Sequence, residues 1–301
     1  MKNFLLSILF ISFILSDSLE IPKINSDDDI ISHFYYTLSY NEQHEQADWV
    51  AYKLTRNMIE NGSYKRTDDF RPDFKIKSGS SQLSDYKSSG YDRGHLCPAG
   101  DMKNSLIGMS ESFLLSNISP QNPSFNRGIW KSLEGTVRTW AVNNEEIYIV
   151  TGPVLNDIIG KIGSNAVSVP KYFYKVILDY NQPEVKAIGF IIENKKGEST
   201  LPSYAVSVDD VEKMTGIDFF HQLSDEVENK VESSFSIDKW SWKKTNSKKN
   251  IKNKSENFFD IKSNKLSLSN RCTSNTKKGT RCKRNTFCSN HKCSSHGGNC
   301  Y

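Results

Sequence analysis

The sequence predicts an α+β domain over about residues 29–223 of a chain of 301 residues. Several segments are rich in aromatic and β-branched residues and are bounded by turn residues, which is typical of strands. Other segments carry apolar residues at helical spacing or begin with a helix-start pattern. Because the strands and helices are interspersed along the chain, the α+β class is favoured.

Five segments are predicted as strands. The first two are separated by a polar stretch and form a hairpin or a pair of neighbouring strands. The third ends at Gly152-Pro153, and the last two are joined by turn residues at 181–183. In chain order the five segments are 33–40, 47–54, 146–151, 172–178 and 186–192.

Two segments are predicted as helices. Trp130, Leu133, Val137 and Trp140 are spaced by three, four and three residues, so they place one apolar face on the core. A second helix begins in the segment 207–212, which carries acidic residues in its first turn.

The N-terminus predicts an export signal. Lys2 precedes a short apolar run, Phe4 to Leu15, and small polar residues follow it. This order is typical of a secretory signal, here residues 1–18, and it predicts a secreted or otherwise extracytoplasmic protein. An N-terminal anchor or a buried strand is the alternative. No later stretch is long and apolar enough to span a membrane.

The formal net charge of +4 is the sum of two unlike parts. Residues 239–301 contain 16 Lys and Arg but two acids, whereas residues 1–238 contain 23 basic and 33 acidic residues. The first part therefore carries +14 and the second −10. This split predicts an acidic body followed by a basic tail with a separate role, with residues 224–269 as a Lys-rich linker.

Five of the six cysteines lie in the predicted C-terminal module, residues 270–301. Three thiolates and one imidazole would suit tetrahedral Zn²⁺. In an exported protein, a set of disulfides is an equally good interpretation, and full pairing would then involve Cys97 of the body or a partner chain. The candidate zinc ligands are Cys272, Cys282, Cys288 and His291.

The segment Asp92-Arg93-Gly94-His95 carries the strongest chemical signal. Hydrolysis of a phosphodiester needs a base for water and positive charge for the phosphate. In an extended segment Arg93 and His95 point to the same side, so they can share one site. Gly94 would allow close approach of a substrate or of backbone. Taken alone, however, these residues would fit a surface turn with a hydrogen-bonded histidine.

Three downstream segments change that interpretation: Ser-Asn-Ile-Ser-Pro-Gln at 116–121, Asn-Arg-Gly-Ile-Trp at 126–130, and a helix that carries Glu134 and Arg138. With these segments, residues 34–223 resemble the DNA/RNA non-specific endonuclease family, whose members carry a ββα-metal site. The resemblance implies a central antiparallel sheet flanked by helices. It also implies a metal-dependent nuclease that acts on DNA and RNA with little sequence preference.

The resemblance also implies a role for each site residue. His95 would be the general base, and Asn126 would be the direct ligand of Mg²⁺ (or Mn²⁺). Glu134 would hold a metal-bound water, while Arg93 and Arg138 would bind phosphate. Asp92 and Asn117 would have supporting roles.

Each residue also has a simpler interpretation. Glu134 and Arg138 are four residues apart and could form an ion pair on a helix surface, and Asn126 could cap a helix. Trp130 is predicted to belong to the core, and Cys97 is predicted to be a packed residue or a disulfide partner, not a nucleophile. The alternative function is a nucleic-acid-binding or surface-docking protein whose nuclease site is idle.

Overall fold

The computed structural model describes residues 18–242 and, farther along the chain, two short strands at 270–271 and 285–286. A seven-stranded sheet organises the first part, and every neighbouring pair of its strands is antiparallel. In spatial order the strands are β1 (Asp29–Ser32), β2 (Thr37–Asn41), β3 (Gln46–Thr55), β6 (Glu146–Pro153), β9 (Tyr172–Asp179), β10 (Lys186–Glu193) and β11 (Ala205–Val206).

Two further pairs of antiparallel strands lie beside this sheet. The first pairs β4 (Asp92–His95) with β5 (Ile118–Gln121), and the second pairs β7 (Ile158–Ile162) with β8 (Val167–Pro170). The helices are α1 (Arg56–Glu60), α2 (Leu83–Tyr86), α3 (Leu106–Glu111), α4 (Lys131–Asn143), α5 (Val208–Thr215) and α6 (Asp225–Glu232). In the C-terminal part, β12 (Asn270–Arg271) pairs antiparallel with β13 (Asn285–Thr286).

The central sheet separates two apolar cores. Because side chains alternate along a strand, Phe173 and Ile177 of β9 enter one core while Tyr174 and Val176 enter the other. Helix α4 covers the first core with Leu133, Val137 and Trp140. Helices α5 and α6 cover the second core with Val208, Val211 and Val231.

The five predicted strands are present as β2, β3, β6, β9 and β10, and β2 and β3 form an antiparallel hairpin. The two predicted helices are α4 and α5. Ser207 caps α5, because its side chain accepts a hydrogen bond from the Asp210 backbone N–H at 3.1 Å. Trp130 is fully buried, so its prediction as a core residue is confirmed.

The folded body extends beyond the predicted start of the linker at residue 224. Helix α6 occupies the beginning of that segment, and Trp240 is 3% exposed with its ring centroid 4.5 Å from that of Trp140. The Trp140 indole N–H also donates a hydrogen bond to the Ser241 carbonyl at 2.6 Å. Aromatic packing therefore attaches the segment up to Trp242 to the body. The linker prediction missed this attachment because it was based on the charge of the segment.

Cys97 is fully buried in the first core and is a free cysteine. It lies in the core as a packed residue, one of the two roles expected for it. The predicted export signal falls on residues almost all of which lie outside the described range. The candidate zinc ligands Cys272, Cys282, Cys288 and His291 also lie outside it, so the zinc and disulfide alternatives stay predictions. Within the described residues, no helix is long and apolar enough to cross a membrane.

Candidate active site

The candidate site is built by the antiparallel strand pair β4–β5 and the helical segment that follows it. A six-residue π-helical turn, Phe125–Trp130, leads directly into α4. Gly128 breaks the helical geometry inside that turn, with φ −107° and ψ −110°. Because π-helical turns are rare and cluster at functional sites, the local backbone itself marks this segment.

His95, at the end of β4, is 8% exposed and lies between two aromatic rings. Phe70 and Phe113 both meet the imidazole edge-to-face, with centroid distances of 5.4 and 4.9 Å. The buried Nε2 atom has no hydrogen-bond partner among the residues that the structure describes. His95 is thus held in place by packing and does not have the fully hydrogen-bonded environment of the simpler interpretation.

Burial, together with the nearby charges of Arg66 and Arg93, lowers the pKa of His95 to about 3. At neutral pH the imidazole is therefore uncharged and able to accept a proton. The bound phosphate of a substrate would oppose the two arginine charges and raise this pKa. The site thus holds a neutral base in a positively charged environment.

Two arginines flank His95 through the same aromatic rings. The Arg93 guanidinium lies 4.2 Å from the Phe70 ring centroid, and that of Arg66 lies 4.7 Å from the Phe113 centroid. Arg93 and His95 both contact Phe70, so the prediction that they lie on one side of the strand is confirmed. Cation–π contacts of this kind fix the direction of a guanidinium while leaving its N–H groups free to bind.

Asp92 connects β4 to the π-helical turn. Its Oδ2 atom accepts a hydrogen bond from the Asn126 amide nitrogen at 2.9 Å. Arg127 forks onto both oxygens of the same carboxylate, at 2.8 and 2.6 Å. These hydrogen bonds lower the pKa of Asp92 despite its partial burial. Because the amide nitrogen of Asn126 is taken, its oxygen is the atom that can bind a cation. Asn126 lies inside the turn and does not cap α4.

Glu134 and Arg138 are on α4, but Arg138 forms its ion pair with Asp101. The Arg138 Nη1 atom is 2.7 Å from Asp101 Oδ1, and Tyr52 donates its hydroxyl hydrogen to Asp101 Oδ2 at 3.0 Å. Glu134 has no ion pair among the described residues. Burial raises the pKa of Glu134 to about 7, and Arg138 opposes this rise. The expected alternative of a simple Glu134–Arg138 surface pair is not what the structure contains.

Lys175, in the middle of β9, is fully buried on the same side of the sheet. Its Nζ atom has no hydrogen bond among the described residues and lies 5.1 Å from the Trp130 ring centroid. Burial lowers the pKa of Lys175 to about 8, while Glu134 and Asp101 raise it. The lysine therefore supplies positive charge from below the site to the carboxylates of Glu134 and Asp101.

Two motif residues have structural roles. The Asn117 side chain is fully buried, accepts from the Cys97 backbone N–H at 2.8 Å, and donates to the carbonyls of Cys97 and Ser112, both at 2.9 Å. This pattern holds the end of β4 against the turn before β5. At Gly94 a Cβ atom would overlap the Gln121 side chain, so Gly94 makes room for Gln121 instead of a substrate.

Among the residues that the motifs singled out in the body, the structure places Arg93 and His95 against one ring and joins Asp92 to Asn126. It also adds five residues that the motifs did not give: Phe70, Arg66, Phe113, Asp101 and Lys175. Asp101 and Lys175 form the charged surroundings of Glu134, and Arg66 and Phe113 form one wall around His95. Lys175 alone gave a signal, as a lysine inside an otherwise apolar strand. The others come from separate loops, and only the fold brings them close.

Comparisons with known proteins identify the family of this chain. Residues 19–226 match the DNA/RNA non-specific endonuclease family. A nuclease from Nostoc sp. is 33% identical over 223 residues, which is 70% of this chain and 80% of that protein. The mitochondrial nuclease EXOG from Danio rerio is 36% identical over 217 residues, which is 64% of this chain but only 63% of the relative.

A crystal structure described as the EndoG/EndoGI complex contains a chain of similar fold. The TM-score is 0.61 at 30% sequence identity, and the match covers 68% of this chain and 89% of that one. The similarity therefore covers the folded body and agrees with the mixed α+β architecture and its antiparallel sheet.

Proposed function

This chain belongs to the DNA/RNA non-specific endonuclease family, and from that premise we propose how its own residues cleave a phosphodiester. The proposed enzyme is an exported, metal-dependent endonuclease that hydrolyses DNA and RNA with little sequence preference. The main support is the buried, neutral imidazole of His95, whose Nε2 has no structural partner in the described chain. Arg66 and Arg93 approach it across aromatic rings, and Asn126, Glu134 and Arg138 lie on the turn and helix that follow the β4–β5 strand pair.

His95 is proposed as the general base that removes a proton from the attacking water. A base must be unprotonated at the working pH, and the lowered pKa of His95 meets that requirement. Bound phosphate would raise this pKa toward the working pH, where a general base is most effective. The packing of Phe70 and Phe113 fixes the ring, so little orientational freedom is lost on reaching the transition state.

The donor chemistry around Asn126 fits a hard divalent cation. The Asp92 hydrogen bond leaves the Asn126 amide oxygen available, and Glu134 offers a carboxylate without an ion pair in the described residues. Oxygen donors of this kind suit Mg²⁺ or Mn²⁺, and Mg²⁺ usually keeps several waters that a second carboxylate can hold. When bound, the cation would neutralise charge on the phosphate and on the leaving 3′ oxygen.

Arg93 and Arg138 are proposed to bind the phosphate, and the structure supports adding Arg66. Arg93 and Arg66 both approach His95 across aromatic rings, whereas Arg138 is held by Asp101 and keeps its side chain 25% exposed. Because guanidinium groups would contact phosphate and not base edges, these contacts carry no sequence information. Since DNA and RNA share the phosphodiester group, one site could accept both.

Export is proposed from the sequence pattern of residues 1–18 alone. N-terminal sequencing of the protein recovered from the medium or from an extracytoplasmic compartment would test it. A mature chain that begins near residue 17 or 19 would support the proposal, and an intact N-terminus would contradict it.

A cleavage assay tests the mechanism directly. The substrates are plasmid DNA, single-stranded DNA and RNA, each with Mg²⁺ and with EDTA. We expect His95→Ala to reduce cleavage of all three by about 10²–10⁴-fold, the usual contribution of a positioned base. The matched control is His221→Ala, since His221 is exposed. Full activity of His95→Ala would overturn the assigned mechanism, and binding without cleavage by the wild type would favour the idle-site alternative.

A further inference from the structure

Three carboxylates converge on the sheet face opposite the nuclease site. Asp209 and Glu212 are three residues apart on α5, so they lie on one side of that helix. Glu232 is the last residue of α6, which packs beside α5. One carboxylate oxygen from each residue lies within 4.8 Å of the other two.

Glu232 is the member of this cluster that most needs a partner. It is 6% exposed, and its Oε1 atom has no hydrogen-bond partner within residues 18–242. None of the ion pairs in that range involves Asp209, Glu212 or Glu232. A buried carboxylate without a cation or hydrogen bond is costly, so such groups are normally paired or bound to a metal.

Glu212 is oriented toward the same point. The Phe219 backbone N–H, in the chain that follows α5, donates to Glu212 Oε1 at 2.7 Å. This hydrogen bond fixes the orientation of the Glu212 carboxylate. The surroundings add further negative charge, since Asp218 and Glu228 both raise the pKa of Glu212 and of Glu232.

We propose that Asp209, Glu212 and Glu232 form a second cation site, separate from the nuclease centre, which binds Ca²⁺ and clamps α6 onto α5. Three carboxylates on two helices supply only hard oxygen donors, which exclude the soft metals. The spread of the oxygens suits Ca²⁺, which accepts long and irregular coordination, better than Mg²⁺, which demands near-ideal octahedral geometry.

The site stabilises the fold and does not take part in cleavage. Helix α6 holds the second core through Val231, and it precedes the segment that brings Trp240 onto Trp140. A cation that joins Glu232 to α5 therefore stabilises the end of the folded body. Its effect is measured as thermal stability, independently of nuclease activity.

The test uses the full chain and follows its melting temperature during a CaCl₂ titration. Ca²⁺ sites of extracellular protein modules bind in the range of about 10⁻⁴–10⁻³ M. At 10 mM CaCl₂ we expect the wild type to melt roughly 3–8 °C higher than in EDTA. Glu232→Gln keeps the shape but cannot ionise to bind a cation, so this shift should disappear. In EDTA the same variant should be at least as stable as the wild type.

Matched variants distinguish binding at these three carboxylates from a general effect of negative charge on the helix. Glu226→Gln changes an exposed glutamate of the same helix and should keep the full shift. Asn126→Ala should also keep the shift, because it removes the proposed metal ligand of the nuclease site and leaves the three carboxylates intact. Asp209→Asn, at an exposed position, repeats the test if Glu232→Gln does not fold. Cleavage by Glu232→Gln in Mg²⁺ should equal that of the wild type, so failure of the nuclease mechanism would leave this result intact.

The proposal is overturned if the wild type shows no shift, or if Glu232→Gln and Asp209→Asn keep it. It is also overturned if NaCl at equal ionic strength gives the same shift, since screening of the acidic cluster would then suffice.

Discussion

At the scale of single residues, the charges below the site decide how readily it takes a cation. Lys175 is a buried lysine that no side chain of the described residues pairs directly. Its charge lowers the pKa of Glu134, as does that of Arg138, and both oppose the effect of burial. In the proposed mechanism Glu134 has to be ionised to hold a metal-bound water, so Lys175 would act on metal binding through Glu134.

We therefore expect Lys175→Met to increase the Mg²⁺ concentration needed for half-maximal cleavage at pH 7. Because loss of this charge raises the pKa of Glu134, we expect roughly a threefold to tenfold increase. Cleavage at saturating Mg²⁺ and thermal stability should change little, because the variant removes a buried charge that has no ion pair. The measurement is a titration of cleavage rate with Mg²⁺. Lys171→Met is the control, because Lys171 directly precedes β9 and its side chain is 38% exposed. Identical Mg²⁺ curves for the two variants would contradict this role.

A second residue, His33, controls the pH dependence of stability. Its Nε2 atom lies 2.9 Å from Asp73 and its Nδ1 atom 3.7 Å from Glu111, with the ring 1% exposed. Burial lowers the pKa of His33, but Asp73 and Glu111 outweigh it and raise the pKa above its usual value. The pKa values of both acids are lowered, chiefly by their contacts with His33 acting against burial.

The folded protein thus binds the His33 proton more tightly than the unfolded chain does. This contribution is complete below the unfolded pKa of about 6.5 and is lost as pH rises through the folded pKa. The two acids contribute above their unfolded values of about 4 and lose that contribution as pH falls. We expect the melting temperature to decrease from pH 6 to pH 8.5. In His33→Gln this decrease should flatten while overall stability falls by about 1–3 kcal/mol. A series of thermal melts checks this, with exposed His221→Gln as control; an unchanged alkaline slope in His33→Gln would contradict it.

At the scale of elements, the C-terminal end of the body is attached by tryptophans. Trp240 packs on Trp140, and the Trp140 indole N–H donates to the Ser241 carbonyl. A chain that ends at residue 238 loses both contacts and exposes part of the first core. We expect it to be less stable than a chain ending at 242 by about 3–5 kcal/mol, the usual range for loss of a buried tryptophan. Denaturant unfolding of the two truncated chains measures the difference, and equal midpoints would contradict the contact.

The elements also separate what the sequence predicts from what it does not. Strands β9 and β10 were predictable because long apolar runs are a local signal. Strand β7 was missed because four of its five residues are exposed and carry no pattern. The π-helical turn was also missed, because its shape depends on Gly128 and on Asp92 from another strand. The same reasoning explains the site: the motifs gave Arg93, His95 and Asn126, whereas Arg66 and Asp101 reach it only through the fold.

At the scale of the whole molecule, most of the body has the same sign of charge as the expected nucleic-acid substrate. Residues 1–238 carry −10 and residues 239–301 carry +14, so the basic charge is concentrated outside most of the catalytic body. A polyanion would be repelled on average by the body and attracted by the basic segment, through contacts that salt weakens. The local arginines would then act only after this long-range attraction.

Removal of residues 243–301 should therefore raise KM for DNA at low salt more than it lowers kcat. The salt dependence of kcat/KM should also become shallower. The control is a full-length chain with glutamine at the six lysines between 243 and 254, which keeps length but removes charge. This control should move partway toward the truncated chain. Equal losses in KM and kcat, or none in either, would count against a tethering role.

The position of Cys97 has a consequence for the folding chemistry of the body. It is the only cysteine between residues 18 and 242, and burial raises the pKa of its thiol. This part of the chain cannot form an internal disulfide, so the redox potential of its surroundings does not decide whether it folds. The thiol also becomes reactive only when the core opens. In a chain that ends at 242, the rate of alkylation of Cys97 would therefore report the rate at which the native core opens, without an engineered cysteine.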